Sequence, residues 1–511
     1  MHNSDTQMAL RYHNYTNHPQ KSLRNLLWRL DWSNRPIPYK IYTSLEPIAL
    51  PTDLAPSPVS ALDAIASTGP TADGEQVPDL QTLARLCFFS NGVTKHLRSA
   101  SGGRLSVRAA ACTGALFHIE LYIVCGDLPG LAAGVYHFSA HDNSLRQLRA
   151  GDFRQVLVQA SANESSLATA PVIMIHTSTF WRNAWKYQER AYRHAFWDDG
   201  TILANLLAVA SARQLPAKIV MGFVDETVNQ LLAIDGLGEA AINLVALGHT
   251  EQPIPQAPEV AQLHLPTALL SRQVIDFLLI EEMHSSSSLF STDEVVAWRG
   301  YPPAHELFKT HRELILLRPM ETSLDTPIET VIRKRGSTRQ FARTPISFEQ
   351  LSTMLIRSTR GIAADSLDPT GRLLSDAYLI VTAVDGLSPG IYVLHREQQA
   401  VELLKGGEFR KQAEYLAFRQ DLGGDAAVNI YFMVDLKAAL ARFGNRGYRL
   451  AQLEAAIIAG KLYLAAYALG LGATGLTFYD DDVTAFFSPH AEGKSVMFLL
   501  ALGHPLKRVK E

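Results

Sequence analysis

Apolar residues gather in short runs separated by polar and glycine-bearing stretches. ELYIVCG (120–126), PVIMIHTS (171–178) and INLVALG (242–248) lie in the first half, and AYLIVTAV (377–384), NIYFMVDL (429–436) and SVMFLLALG (495–503) in the second. Runs of this length and composition predict buried strands. The stretch from Arg449 to Leu469 differs: it is long, rich in alanine and leucine, holds Gly460 as its one glycine and is stopped by Gly470, as a helix would be. Apolar residues occupy nearly all its faces, which predicts burial in a core or at a domain interface. A second helix is predicted near 198–213, and another after Pro345, where Ser347 and Gln350 stand at capping-box spacing. Strands and helices mixed in this way predict an α+β layered fold.

The same order of elements occurs twice. GLAAGVY at 130–136 returns as GLSPGIY at 386–392, and GDFR at 151–154 as GEFR at 407–410, both displaced by 256 residues. Tyr192 and Arg193 precede a long apolar segment as Tyr448 and Arg449 do, again 256 apart, and ALGH closes both halves at 246–249 and 501–504. A repeat in constant register predicts duplicated domains. The expected division is a leader over 1–60, a first domain over 61–250, a connector over 251–314 and a second domain over 315–511. The connector, with its proline-rich start and a serine run at 285–288, reads as an exposed link carrying some helix.

A chain of 511 residues exceeds one ordinary core, in keeping with two domains. Lys and Arg number 47 against 50 Asp and Glu, a net charge of -3, so no basic field recommends nucleic acid or an anionic membrane as partner. Cys87, Cys112 and Cys125 lack CxxC spacing, which argues against a disulfide framework or a structural zinc. The first thirty residues show no apolar signal core, and no run reaches the roughly 20 apolar residues of a spanning helix. A cytoplasmic protein is expected.

The segment RKRGSTRQF, Arg333 to Phe341, is the most distinctive candidate for chemistry. Its arginines, with the hydroxyls of Ser337 and Thr338 and the pliant Gly336, suit a phosphate. A solvated basic helix end is the other reading, and the segment alone leaves both open. His2, His13 and His18 read as solvated, and no metal site is expected. Asp480, Asp481 and Asp482 read as caps of a helix starting near Val483. Asp198 and Asp199 read as acidic residues at a helix start, with paired catalytic carboxylates as the alternative.

Taken together, the RxSxR element, GLGATGLTFYDDDV at 470–483 and the terminal strand followed by Lys507 and Arg508 resemble the FMN-binding framework of the nitroreductase family. RAAACTGALFHIELYIV at 108–124 with GLAAGVYHF, and the leader segments YHNYT (12–16) and LDWSNRPIPYKIY (30–42), resemble its SagB-type, azoline-oxidising branch. The resemblance implies a layered α/β/α nitroreductase-like fold, duplicated in tandem as an intrachain pseudo-dimer, so that a monomer suffices.

Family members build each FMN site at a two-fold interface, so the halves are expected to pair within one chain. The first half reads STGPTADGEQVPD at 67–79 where the clamp should stand, with no arginine, and the second reads DPTG at 368–371 at the turn. One FMN per chain is therefore implied. Its phosphate would rest on Arg335, Ser337 and Arg339 with Lys507 and Arg508. Gly472, Thr474, Gly475 and Leu476 would form the close loop, and Arg108, Cys112, Thr113 and Gly114 the facing turn. The implied function is hydride transfer between NAD(P)H or an organic substrate, including a modified peptide, and the flavin. A flavin-binding or structural protein that has lost catalysis is the alternative.

Overall fold

The apolar runs become central strands of two sheets, one from each half. The computed structural model describes residues 2–18, 29–69, 74–98, 104–300, 302, 312–321, 325–367 and 371–506. The first sheet runs Pro47–Ala49, Ser144–Ala150, Gly134–Ser139, Ile119–Cys125, Val172–Thr179, Glu239–Leu247 and Ala217–Val220. In the second, Leu314–Leu316, Ala400–Gly406, Gly390–His395, Ser375–Val381, Val428–Val434, Ser495–Pro505 and Phe341–Ala342 follow one another, and Gly472–Gly475 pairs with Ser495–Pro505. Neighbours in both sheets are antiparallel, with Val124 opposite Ile173 and Leu379 opposite Ile430. The central strands Ile119–Cys125, Val172–Thr179, Ser375–Val381 and Val428–Val434 are buried at every position, which explains continuous apolar runs in place of alternation. The helix after Ser347 forms over Phe348–Ser358, with both hydrogen bonds of the capping box present.

Two long helices, Ala191–Ala212 and Arg446–Ala468, join the halves. A Cβ on Gly200 would come 2.5 Å from the Ala456 Cβ, and one on Gly460 2.6 Å from the Ala204 Cβ. Gly200 and Ala456 are 256 apart, as are Ala204 and Gly460, so one close crossing is used twice. Gly460 is there because no side chain fits. The ends of the same helices exchange buried ion pairs. Arg190 and Arg193 bind Asp480 (3.0 and 2.6 Å), while Arg446 and Arg449 bind Asp225 (2.7 and 2.9 Å). The Tyr12 ring meets Tyr192 and Tyr448 edge-on at 5.6 Å each, so the N-terminal helix Gln7–Thr16 spans both halves.

Four sequence expectations are corrected. The first long helix starts at Ala191, so Asp198 and Asp199 lie inside it and not at its start. Asp198 binds Thr113 and His118, and Asp199 binds His176 and Asn243. His13 is buried against Tyr448, and burial with the nearby Arg193 lowers its pKa to about 3; His18 is half-buried against Phe418. Asp480 is the first residue of the helix Asp480–Phe487, and Arg190 and Arg193 engage its carboxylate. The serine run is not an exposed link: Ser286, Ser287 and Ser288 are buried at the end of the helix Leu278–Ser286, where the Ser287 hydroxyl accepts from Arg449 Nε at 2.7 Å. Among the described residues no helix is long and apolar enough to cross a membrane.

Candidate functional site

The short helix Ile328–Lys334 buries Ile328, Val331 and Ile332, which delivers the next residue, Arg335, to the seam between the halves. Arg335 is 5% exposed. Its Nε donates to the Ala109 carbonyl (2.9 Å) and an Nη to the Arg108 carbonyl (3.2 Å). Both acceptors belong to the first half, just ahead of Cys112. Burial lowers the Arg335 pKa, and no carboxylate pairs with it among the described residues. By contrast, Arg182, Arg190, Arg193, Arg446 and Arg449 are buried against Glu120, Asp480 or Asp225. A buried cation without a counter-charge is costly. Arg108 is also buried without a carboxylate partner, but Arg335 shares its short segment with Ser337 and Arg339, and there the chain fits an anion brought from outside.

Other predicted residues gather around it. The Ser337 Oγ lies 3.2 Å from the Tyr463 hydroxyl, which also accepts from the Gly475 N–H (2.8 Å). The Thr338 N–H donates to the Ala473 carbonyl at 2.9 Å. A Cβ on Gly472 would meet the Thr338 Oγ1 at 2.2 Å, so glycine is required for this close approach. Thr474 and Leu476 are buried and Gly475 is exposed. Arg339 is exposed and has no ion-pair partner among the described residues. Lys507 and Arg508 lie outside the described residues, as do 368–370 of the second-half turn.

The facing turn departs from expectation in how its side chains are used. Asp198 accepts from the Thr113 N–H (2.8 Å), the Thr113 hydroxyl (2.7 Å) and the Cys112 thiol (3.1 Å), and contacts His118 Nε2 at 2.9 Å. Cys112 and Thr113 thus turn inward, and the turn leaves Gly114 exposed, with φ +66°. Burial and then Asp198 push the Cys112 thiol well up, so it stays protonated. Arg108 is buried with its guanidinium on Asn91, the Ile119 carbonyl and the Pro38 carbonyl. It props the turn from behind.

Sequence reading missed Tyr463 and Lys95, and the part Asp198 plays in the turn. The Lys95 Nζ crosses from the first half to the Lys334 and Arg335 carbonyls (3.0 and 2.8 Å). The spacing of Tyr463 and Tyr467 on the long helix was the one available signal.

The matching cleft of the first half is closed. Ser67, Thr68 and Gly69 follow the helix Ala61–Ala66 as Arg335 and Gly336 follow Ile328–Lys334, and Leu207 and Ser211 stand 256 residues before Tyr463 and Tyr467. The strand Ala217–Val220 stands 256 residues before Ala473–Leu476, so it takes the place of the close loop. Here the backbone donors are already taken. The Ile219 N–H donates to the Ala363 carbonyl (2.9 Å), and the Asp365 carboxylate accepts from the Met221 and Gly222 N–H groups (3.0 and 2.8 Å). Burial raises the Asp365 pKa. A void of about 10 Å³ lined by Ser67, Thr68, Ser211 and Lys461 remains, room for about one water.

Residues 332–504 match the model of the nitroreductase family. A protein of Methanocaldococcus jannaschii assigned as a nitroreductase is 26% identical over 155 residues, 30% of this chain and 74% of the relative. A crystal structure from Anabaena variabilis, likewise assigned as a nitroreductase, is 28% identical, covers 98% of this chain and 99% of its own, and superposes with a TM-score of 0.79. The fold is nitroreductase-like in both halves.

Proposed function

We propose that this chain is a flavin-dependent oxidoreductase holding one FMN at the seam and moving hydride between NAD(P)H or an organic substrate and the flavin. The observation that carries the reading is Arg335, a buried guanidinium without a carboxylate, set between the first-half turn and the glycine-bearing strand Gly472–Gly475. Arg335, Ser337 and Arg339, with Lys507 and Arg508, would hold the phosphate. The exposed Gly475 and the turn at Gly114 would flank the ring. A bound flavin supplies two-electron hydride chemistry. The protein's part is to orient it. The likeness of the leader and the first-half turn to the SagB-type branch supports an azoline in a modified peptide as the organic substrate, in a cytoplasmic monomer.

The test is anaerobic. Protein purified without added cofactor should be yellow and should bleach on addition of NADH or NADPH, with turnover of a nitroaromatic or quinone. A bound flavin that no donor reduces would leave a binding protein, and a colourless protein that takes up no FMN would end the reading.

A further inference from the structure

The closed cleft of the first half contains a charge with no role so far. Lys461, on the helix Arg446–Ala468, is 3% exposed. Its Nζ donates to the Gly361 carbonyl at 2.9 Å, and no carboxylate meets it among the described residues. Lys40, Lys218 and Lys494 instead reach Glu239, Glu164 and Asp376 (2.7, 2.7 and 2.5 Å). Burial pushes the Lys461 pKa down to about 8, so the ammonium still carries its charge at neutral pH. A buried charge left without a counter-charge costs stability.

The void beside Lys461 is lined by donors. Gly361 belongs to its wall, so the bond to that carbonyl puts the ammonium itself at the void, with two N–H groups left over. The hydroxyls of Thr68 and Ser211, also on the wall, have no hydrogen-bond partner among the described residues. The Ser67 hydroxyl accepts from the Gly69 N–H at 3.1 Å, which leaves its own proton free to donate. The acceptors nearby are engaged: Gly361 by Lys461, and the Ala363 carbonyl by the Ile219 N–H. Ser67 and Thr68 occupy the places that Arg335 and Gly336 hold in the second half. The first-half clamp has thus lost its arginine, and the opposite half supplies a cation in its stead.

We propose that this void is a binding site for one halide ion, chloride in ordinary salt, held by the Lys461 ammonium and the hydroxyls of Ser67, Thr68 and Ser211. Size selects the ligand. The void of about 10 Å³ has room for about one water, which suits a monatomic anion and turns away phosphate or a carboxylate. Thr68 and Gly69 are exposed and give the ion a way in from solvent. Once bound, the halide offsets the buried charge and joins Ser67, Thr68 and Ser211 of the first half to Lys461 of the second. It acts as a structural ligand at the cleft that carries no flavin clamp, and it stands independently of the flavin reading.

Two measurements on the full chain test this. Thermal unfolding is followed at pH 7 in sodium chloride and, at equal ionic strength, in sodium gluconate, whose anion is too large for the void. Chloride at about 100 times its dissociation constant should raise Tm by about 2–4 °C. Lys461→Met keeps the bulk of the side chain and removes its charge, so its Tm should be the same in both salts. Wild-type protein indifferent to the salt, or a difference that persists in Lys461→Met, overturns the proposal. The second measurement needs no variant. Crystals of the wild-type chain grown in sodium bromide should show an anomalous scattering peak within hydrogen-bond reach of Lys461 Nζ and the Ser211 hydroxyl. Water alone at that position, with no anomalous peak, overturns the proposal as well.

Discussion

Arg335 and Gly472 test the site at the scale of single residues. Arg335→Ala removes a buried charged donor whose hydrogen bonds contribute roughly 1.5–3 kcal/mol each. Cofactor affinity should fall by about 10- to 100-fold, measured by FMN titration of stripped protein. Arg339→Ala, at an exposed position, should cost less. Gly472→Ala forces Thr338 to move, since the new Cβ would be 2.2 Å from its Oγ1. Flavin retention should drop in the single variant and recover in Gly472→Ala with Thr338→Ala; no recovery would mean that the backbone itself has shifted. Arg335 and Ser337 are legible in sequence because they share one short segment. Tyr463, Lys95 and the role of Asp198 are not, because each reaches the site from a distant element and none belongs to a local motif.

At the scale of elements, the long helices are tied by two reciprocal ion-pair trios. Removing either shared carboxylate strands two buried guanidinium groups, so Asp225→Ala and Asp480→Ala should each destabilise by about 3–5 kcal/mol, read as a lower Tm. Burial would raise both carboxyl pKa values, but Arg446 and Arg449 hold Asp225 below the usual range and Arg190 and Arg193 hold Asp480 well below it. A depressed folded pKa gives stability that is present above the unfolded value and lost as pH falls toward the folded one. Wild-type Tm should therefore fall below about pH 4, with a shallower slope in either variant. An equal slope would remove these pairs from the acid response. The repeat matches Tyr192 and Arg193 to Tyr448 and Arg449, yet the Asp partners are invisible until the chain folds. The helix start at Ala191 escapes a sequence reading because tertiary ion pairs, and no capping side chain, fix that end.

At the scale of the molecule, duplication has produced two unequal clefts. The missing arginine in 67–79 is legible and points to one cofactor. The strand-like closure by Ala363–Asp365 is not, since it joins backbone groups far apart in sequence. Restoring charge alone should therefore not restore a site: Thr68→Arg should leave the flavin count unchanged, because Asp365 and Ala363 still hold the donors of Ile219, Met221 and Gly222. The count itself tests the central claim most directly. Protein purified without added cofactor is denatured, and the released ligand is weighed and counted per chain. One FMN per chain is the predicted result; two per chain, or a protein that neither carries FMN nor binds it when supplied, would contradict the account.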